Sequence, residues 1–292
     1  MDGGTAVDGA RLGIHLLVWG AGWGDPAFDL PRVLATCRAL GFGGVEVPWL
    51  EPVPAPAVAA AAAAVQAAGL WATVSTALPP EACLVDPLPE RRARALQWLR
   101  GAAEAAAAFG SPVLVGPLLA PVGELPPGAA RPAAPAAPLL AAVAAHASGL
   151  GVRLCLEPLN RFETDVLNTL AQGAALCAAA GGGPGLLSDT FHQNIEEDDP
   201  LEALRCHLGT VGHVHLSENH RGPAGSGHIP FPAVLDVLED GGYGGRLVFE
   251  GFNAHVRALA RATCIWRPAA PSPEAFAART AETLLGTARG AG

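Results

Sequence analysis

The stretch Val152-Arg-Leu-Cys-Leu-Glu157 is a short apolar run that ends in a carboxylate. The same pattern recurs three times further along the chain, in Gly185-Leu-Leu-Ser-Asp189, Val211-Gly-His-Val-His215 and Arg246-Leu-Val-Phe-Glu250. Each run has the length and composition of a buried β-strand. Polar side chains at the C-terminal ends of four successive strands indicate that these ends meet, as they do on one face of a (β/α)8 barrel.

The four strand-end residues form a candidate metal site: Glu157, Asp189, His215 and Glu250. Three carboxylates and one imidazole make a hard, mostly anionic ligand set. Such a set suits Mn²⁺ or Mg²⁺, with Co²⁺ as a further candidate, better than a thiolate-rich zinc site does. Any one of these carboxylates alone could form a surface salt bridge, but their matched positions favour a shared site.

Short β-like runs alternate with helical runs along the chain, and eight such repeats predict a single-domain α/β fold, a closed (β/α)8 TIM barrel. We predict strands near residues 12–18, 43–48, 70–76, 112–116, 152–157, 185–189, 211–216 and 245–250. We predict helices near residues 29–40, 55–68, 88–109, 132–149, 166–180, 199–207, 231–240 and 273–288. The barrel is expected over residues 11–292, after a disordered, Gly-rich tail over residues 1–10.

Composition excludes several classes of function. The 292 residues are 50% hydrophobic, which is ample for one large core. A net charge of −9 repels phosphate backbones, so we expect no nucleic-acid partner. All 18 basic residues are Arg, and the absence of Lys excludes a lysine Schiff base and a P-loop lysine.

Two further features bear on cellular location. The polar N-terminus lacks the basic and apolar regions of a signal peptide, and the Ala-rich run over residues 57–68 is too short to span a membrane. The six cysteines are scattered without a CxxC pair, which predicts free thiols in a reducing compartment. We therefore predict a cytoplasmic protein that has no membrane partner.

Glu157 and Glu250 have the clearest chemical meaning as a pair. Inversion of a carbon beside a carbonyl needs a base on one face and a proton donor on the other. A metal between them can polarise the carbonyl. In the seventh strand we expect His213 and His215 to point to opposite faces, with His215 in the site and His213 in the core, where it could orient a ligand.

Other residues near the strand ends allow two interpretations. His192, just after the sixth strand, could donate to a substrate oxygen or cap a loop. Arg221 lies in a Gly/Pro-rich loop and could bind substrate or lie on the surface. Trp23 and Phe252, after the first and eighth strands, could stack on a sugar or pack at the rim.

Together these motifs resemble the ketose 3-epimerase family, the D-tagatose 3-epimerase and D-psicose (D-allulose) 3-epimerase group of the xylose-isomerase-like superfamily. The similarity runs from about Gly13 to the C-terminus and is strongest in the second half. The segments that carry it are Leu156-Glu-Pro-Leu-Asn-Arg-Phe-Glu163, Asp189-Thr-Phe-His-Gln-Asn-Ile-Glu-Glu197, Gly212-His-Val-His-Leu-Ser-Glu-Asn-His-Arg221 and Val248-Phe-Glu-Gly-Phe252.

The resemblance implies that the four strand-end residues bind a divalent metal, typically Mn²⁺, and that Glu157 and Glu250 act on opposite faces of C3. It also implies a set of substrate-binding residues: Glu163, His192 and Arg221 at the O1–O3 end, with Trp23 and Phe252 as pocket aromatics. The chain departs from the family at His15, where tagatose epimerases carry an aromatic residue, and at Gly251, where a Pro is usual. We include His15 in the substrate pocket, whose far end these two positions shape.

The implied activity is inversion at C3 of a free ketose of the D-allulose/D-fructose, D-tagatose/D-sorbose or ribulose/xylulose type, through a cis-enediolate. The implied partners are this small-molecule ketose and further copies of the chain in a homodimer or homotetramer. An aldose–ketose isomerase on the same barrel is the alternative. Net acidity and too few His ligands disfavour a phosphodiester-cleaving enzyme of the endonuclease IV type. A sugar-binding barrel without catalysis would lose one of the two Glu.

Overall fold

The computed structural model describes residues 6–20, 22–24 and 28–286. Eight parallel strands form a closed barrel in which each strand pairs with its neighbour in sequence and β8 pairs with β1. The predicted (β/α)8 TIM barrel is thus confirmed. The strands are β1 (Leu12–His15), β2 (Gly44–Pro48), β3 (Trp71–Ser75), β4 (Val113–Gly116), β5 (Arg153–Leu156), β6 (Gly185–Asp189), β7 (Val211–Leu216) and β8 (Leu247–Phe249).

The strands alternate with helices that cover the outside of the barrel. Two of these helices, α6 and α9, were not predicted from the sequence. Within the described residues the α-helices are α1 (Leu30–Ala39), α2 (Ala55–Ala67), α3 (Pro89–Ala108), α4 (Ala137–Gly149), α5 (Leu170–Ala179), α6 (Thr190–Glu196), α7 (Pro200–His207), α8 (Phe231–Asp240), α9 (Arg257–Ala262) and α10 (Pro273–Leu285).

Local side-chain chemistry sets several element boundaries. The predicted first strand is shorter than expected, because the His15 Nδ1 accepts a hydrogen bond from Leu17 N and begins a 3₁₀ turn over Leu16–Val18. The predicted fifth helix begins only at Leu170, since Thr169 and Gln172 form a reciprocal capping box there. Such caps provide partners for the amide groups that the first turn of a helix leaves unpaired.

Nearly every residue of the eight strands is buried, as expected for a parallel sheet that is covered by helices. The predicted N-terminal tail lies partly outside the described residues. In the part that is described, Val7 N donates to Leu284 O at the end of α10. Among the described residues, no helix combines the length and apolarity needed to cross a bilayer.

Candidate active site

The four predicted metal ligands meet at the C-terminal end of the barrel. Glu157 directly follows β5, Asp189 ends β6, His215 is the penultimate residue of β7, and Glu250 directly follows β8. One ligand atom from each residue lies within 4.8 Å of the ligand atoms of the other three, and all four residues are buried. Parallel pairing places them in this way, since Asp189 and His215 are register partners on adjacent strands.

The His215 imidazole provides a direct test of whether this cluster suits a cation. Its Nε2 lies 2.6 Å from Glu46 Oε1, so Nε2 carries the proton. Its Nδ1 is buried without a hydrogen-bond partner and lies 3.8 Å from Asp189 Oδ2 and 3.7 Å from Glu250 Oε2. Burial acts to lower the pKa of His215, but Glu46 and Glu250 outweigh it and raise this pKa well above the ordinary value. A nitrogen without a hydrogen-bond partner that faces carboxylate oxygens is thus a position for positive charge, which a divalent cation would supply in place of a proton.

The carboxylates have strongly perturbed proton affinities. Burial raises the pKa of Glu157 well above its ordinary value, and the nearby negative charges of Glu250 and Asp189 raise it further. Burial also acts to raise the pKa of Asp189, but the Arg221 guanidinium outweighs it and holds this pKa well below the ordinary value. The pKa of Glu250 is lowered in the same way, since Arg221 and His215 outweigh its burial. The site is an anionic pocket that needs positive charge.

Arg221 supplies one such charge. Its Nη1 donates to Asp189 Oδ2 at 2.7 Å and to Glu250 Oε2 at 2.6 Å. The guanidinium also lies 4.0 Å from the centre of the Phe191 ring and 4.9 Å from that of Phe252. The residue adopts a left-handed backbone with φ of 60°, which is uncommon for a residue other than glycine and is typical of functional sites.

His192 and Arg221 bring two donors to one point. Asn160 N donates to His192 Nδ1 at 3.0 Å, so the neutral ring carries its proton on Nε2. That Nε2 lies 2.9 Å from Arg221 Nη2, which is also a donor, and 3.5 Å from Glu157 Oε1. Burial lowers the pKa of His192, and Arg221 lowers it further, so the ring stays neutral. Two N–H groups this close together repel each other, and an oxygen placed beside Glu157 that accepts from both would relieve this.

Of the remaining predicted substrate-binding residues, Glu163 and His15 reach this group, whereas the Trp23 ring packs edge-on against Phe109 with the ring centres 5.4 Å apart. Glu163 is half-buried in the loop after β5, where its Oε1 accepts from Asn160 Nδ2 at 2.8 Å. Trp23 is buried, and its Nε1 donates to the carbonyl oxygen of Pro48, the last residue of β2. His15 Nε2 donates to Ser75 Oγ at 2.8 Å and lies 3.8 Å from Glu250 Oε1.

The expectation that His213 and His215 point to opposite faces is wrong. Successive strand residues alternate in direction, so residues two apart share a face. Both rings lie inside the barrel with their centres 5.4 Å apart, and His213 Nε2 lies 2.9 Å from Glu46 Oε2. His213 contacts Glu46 rather than the carboxylate cluster, so His215 alone of the two joins the four-residue cluster.

Sequence analysis missed Glu46 and Asn160. Glu46 is completely buried in the middle of β2, and Asn160 contacts both His192 and Glu163. The signal for Glu46 was present, since a single acid interrupts the apolar run Gly44-Val-Glu-Val-Pro48. Burial acts to raise the pKa of Glu46, but the neighbouring His215 and His213 outweigh it and hold this pKa well below the ordinary value.

Comparison with known proteins identifies relatives over most of the chain. Residues 34–278 match the xylose isomerase-like TIM barrel family. The chain is 36% identical over 264 residues to an L-ribulose 3-epimerase of Mesorhizobium japonicum, which covers 88% of this chain and 87% of that protein. It is 32% identical over 261 residues to a ketose 3-epimerase of Arthrobacter globiformis, which covers 88% of this chain and 89% of that protein.

Solved structures agree with these matches. The structure of an L-ribulose 3-epimerase superposes with a TM-score of 0.86 at 35% identity, covering 92% of this chain and 91% of that chain. A D-allulose 3-epimerase from Methylomonas sp. in complex with D-allulose superposes with a TM-score of 0.86 at 27% identity, covering 93% and 95%. The resemblance seen in the sequence is confirmed. The chain belongs to the xylose isomerase-like TIM barrel family and, within it, to the ketose 3-epimerases, which are isomerases that act on carbohydrates.

Proposed function

We propose that the protein is a metal-dependent epimerase that inverts C3 of a free ketose through a cis-enediolate. The observation that carries this proposal is the buried cluster in which Glu157 and Glu250, at the ends of β5 and β8, lie with Asp189 and with the His215 Nδ1, which has no hydrogen-bond partner. A bound divalent cation, for which we propose Mn²⁺ with Co²⁺ or Mg²⁺ as substitutes, would act as a Lewis acid beside the substrate carbonyl.

Glu157 and Glu250 are the proposed acid–base pair. One carboxylate takes the C3 proton from one face of the sugar, and the other returns a proton to the opposite face, so the configuration inverts. Both side chains are almost completely buried, which keeps bulk water away from the transferred proton. Arg221 contacts Glu250 and His192 contacts Glu157, so each carboxylate is held by its own positively polarised neighbour.

His192 and Arg221 are proposed to bind the oxygens of the reacting end of the sugar. Their converging N–H groups need an acceptor, and a ketose carbonyl or hydroxyl oxygen supplies one beside Glu157. Glu163 accepts a hydrogen bond from Asn160, which also donates to the His192 ring, so the loop after β5 fixes this donor pair. Phe252, with Arg221 stacked on it, and Trp23 are the proposed apolar walls.

The relatives suggest the size of the substrate. One relative is named L-ribulose 3-epimerase and another ketose 3-epimerase, and one relative of solved structure is in complex with D-allulose. We therefore propose free ketopentoses and ketohexoses as substrates, of the ribulose/xylulose, D-allulose/D-fructose and D-tagatose/D-sorbose types. We also propose a homodimer or homotetramer, to be measured by light scattering, and a cytoplasmic location, which six free cysteines support.

The test follows the substrate hydrogen in D₂O. Metal-loaded protein should interconvert two ketoses and exchange the C3 hydrogen for deuterium, as read by NMR. Glu157→Gln and Glu250→Gln should each lower the inversion rate by about 10²- to 10⁴-fold, the usual contribution of a general acid or base. Metal content is measured in each variant, because both residues are also proposed ligands.

Two results would contradict the proposal. The first is full activity in protein shown to be metal-free by elemental analysis after EDTA treatment. The second is turnover in D₂O that leaves protium at C3, labels C1 or C2 and yields an aldose, which would assign the chain to aldose–ketose isomerisation instead.

A further inference from the structure

Glu46 is a buried carboxylate to which the proposed reaction gives no role. It is completely buried in the middle of β2, which is separated from β7 by β8 and β1 in the closed barrel. Its side chain spans the barrel interior, where Oε1 lies 2.6 Å from His215 Nε2 and Oε2 lies 2.9 Å from His213 Nε2. A buried carboxylate is costly unless it is fully paired, so this contact calls for a function.

The surroundings of Glu46 fix its position. Thr73 Oγ1, on the neighbouring β3, donates to Glu46 Oε2 at 2.8 Å. His15 Nε2, on the neighbouring β1, lies 3.4 Å from Glu46 Oε1. Strand pairing places these three residues side by side, since Glu46 is the register partner of both His15 and Thr73. The carboxylate therefore has one well-defined orientation toward His215.

This orientation determines which nitrogen of His215 is free. The bond to Glu46 requires the proton on Nε2, and it leaves the Nδ1 lone pair directed at Asp189 and Glu250. A carboxylate that accepts from the far nitrogen of a metal-binding imidazole fixes its tautomer and ring angle and raises its basicity. The negative charge of Glu46 also favours positive charge on the far side of the ring.

We propose that Glu46 is a positioning residue that orients and polarises His215 for binding of the divalent cation. The inference rests on the proposed metal dependence and assigns to β2 a part in a site whose ligands all come from β5 to β8. Glu46 acts through His215 and does not contact the substrate. A purely structural role for Glu46 would leave the affinity of the folded protein for metal unchanged.

The test measures Mn²⁺ affinity of the folded protein by chelator competition, independently of turnover. Glu46→Gln keeps an acceptor for His215 Nε2 but removes the charge. We expect its Mn²⁺ affinity to fall by about 10- to 100-fold, the range found when such supporting carboxylates are removed. The visible absorption of Co²⁺-loaded protein should change as well, because it reports the ligand geometry.

Glu218→Gln is the matched control. Glu218 is also buried, but its carboxylate accepts from the backbone N–H of Gly225 and Ile229 in the loop after β7. The chemical change is the same, and we expect Mn²⁺ affinity and the Co²⁺ spectrum to match those of the parent. Circular dichroism of the metal-free proteins shows whether each variant is folded.

The outcomes separate this inference from the proposed function. If the parent binds Mn²⁺ and Glu46→Gln binds it equally well, the positioning role is wrong and the proposed function stands. If the parent itself binds no divalent metal, the proposed function fails and the inference fails with it. If Glu46→Gln does not fold, Thr73→Val replaces it, since it removes one hydrogen bond to Glu46 and retains the charge. Its affinity should fall by up to about tenfold, the equivalent of one hydrogen bond, and an unchanged affinity would overturn the proposal.

Discussion

Replacement of Arg221 by Met should destabilise the metal-free protein far more than the metal-bound protein. Arg221 is buried and pairs with Asp189 and Glu250, which lie in the same cluster as Glu157. Without metal, the Arg221 guanidinium is the permanent positive charge that pairs with this cluster. Arg221→Met retains much of the side-chain volume and leaves three carboxylates close together without that charge.

The magnitude follows from the burial of the ion pairs. Removing one partner of a buried pair costs about 3–5 kcal/mol, because the other partner stays buried and unpaired. At roughly 2–4 °C per kcal/mol for a chain of this size, Tm in EDTA should fall by about 6–20 °C. Mn²⁺ at about 100 times the Kd of the parent stabilises the parent by about 2.7 kcal/mol. The variant cluster lacks the Arg221 charge and should bind Mn²⁺ more tightly, so at the same Mn²⁺ concentration the difference in Tm between variant and parent should shrink by half or more.

The sign of the pH dependence provides a second check in EDTA. In the parent, the lowered pKa of Asp189 and Glu250 means that these groups stabilise the fold above their ordinary pKa and lose that contribution as pH falls. In Arg221→Met we expect the same two pKa values to rise. A carboxyl group whose pKa is higher in the folded than in the unfolded state stabilises the fold at low pH, and this contribution is lost as pH increases. The difference in Tm between parent and variant should therefore widen from pH 5 to pH 8.

Differential scanning fluorimetry with EDTA or Mn²⁺ is the assay, and Arg161→Met is the matched control. Arg161 pairs with Glu196 at 2.9 Å, but its side chain is 61% exposed. Solvent screens the exposed Arg161 charge, and Glu196 keeps the backbone N–H of residue 161 as a donor at 2.6 Å, so Tm should change by less than about 4 °C with or without metal. The reasoning is refuted if Arg221→Met melts like the parent in EDTA, or if metal raises Tm equally in both proteins.

Three other perturbations test separate parts of the structure. A Cβ on Gly251 would lie 2.4 Å from the Phe276 ring. Gly251→Ala should therefore lower the free energy of unfolding, measured by denaturant titration, by about 1–3 kcal/mol. An unchanged denaturation midpoint would contradict this contact. Arg131 forms ion pairs with carboxylates in the loops after β4 and β5. Arg131→Met should therefore lower the free energy of unfolding by about 1.5–3 kcal/mol and leave the metal content unchanged. Loss of metal would contradict a purely structural role. Burial raises the pKa of Cys155 to about 12. A maleimide at pH 7.5 should therefore label only the two exposed thiols of the folded protein, those of Cys206 and Cys264. Labelling of more than two sites would contradict the burial of the other cysteines.

The second half of the site was visible in the sequence for a physical reason. Parallel barrel strands are buried on both faces and appear as apolar runs, so a polar residue at the end of such a run stands out. Glu157, Asp189, His215 and Glu250 all follow this pattern, and parallel pairing necessarily brings neighbouring strand ends together. The first four strands end in His15, Pro48, Ser75 and Gly116, which offer few ligands and gave little signal.

What the sequence could not show depends on contacts across the barrel and on short-range capping. Periodicity indicates which residues of one strand share a face, but not which residue on a distant strand they meet. Glu46 and His215 are 169 positions apart, and only closure of the barrel brings them together. The short helix α6 was missed because its cap is the proposed ligand Asp189, whose Oδ1 accepts from Phe191 N at 2.7 Å.

The two halves of the barrel therefore contribute different things to one site. Strands β5 to β8 provide the residues that face the proposed cation, whereas β1 to β3 provide groups that fix those residues from behind or border them. Glu46 is proposed to fix His215 from behind. His15 borders the cluster, since it is hydrogen-bonded to Ser75 and lies 3.8 Å from Glu250. Neither His15 nor Ser75 is in the ligand cluster, but His15 lies beside the proposed acid–base residue Glu250, so a change of its chemistry would affect that carboxylate as well as the pocket. The departure from the family at His15 therefore falls among the bordering groups and not among the proposed ligands.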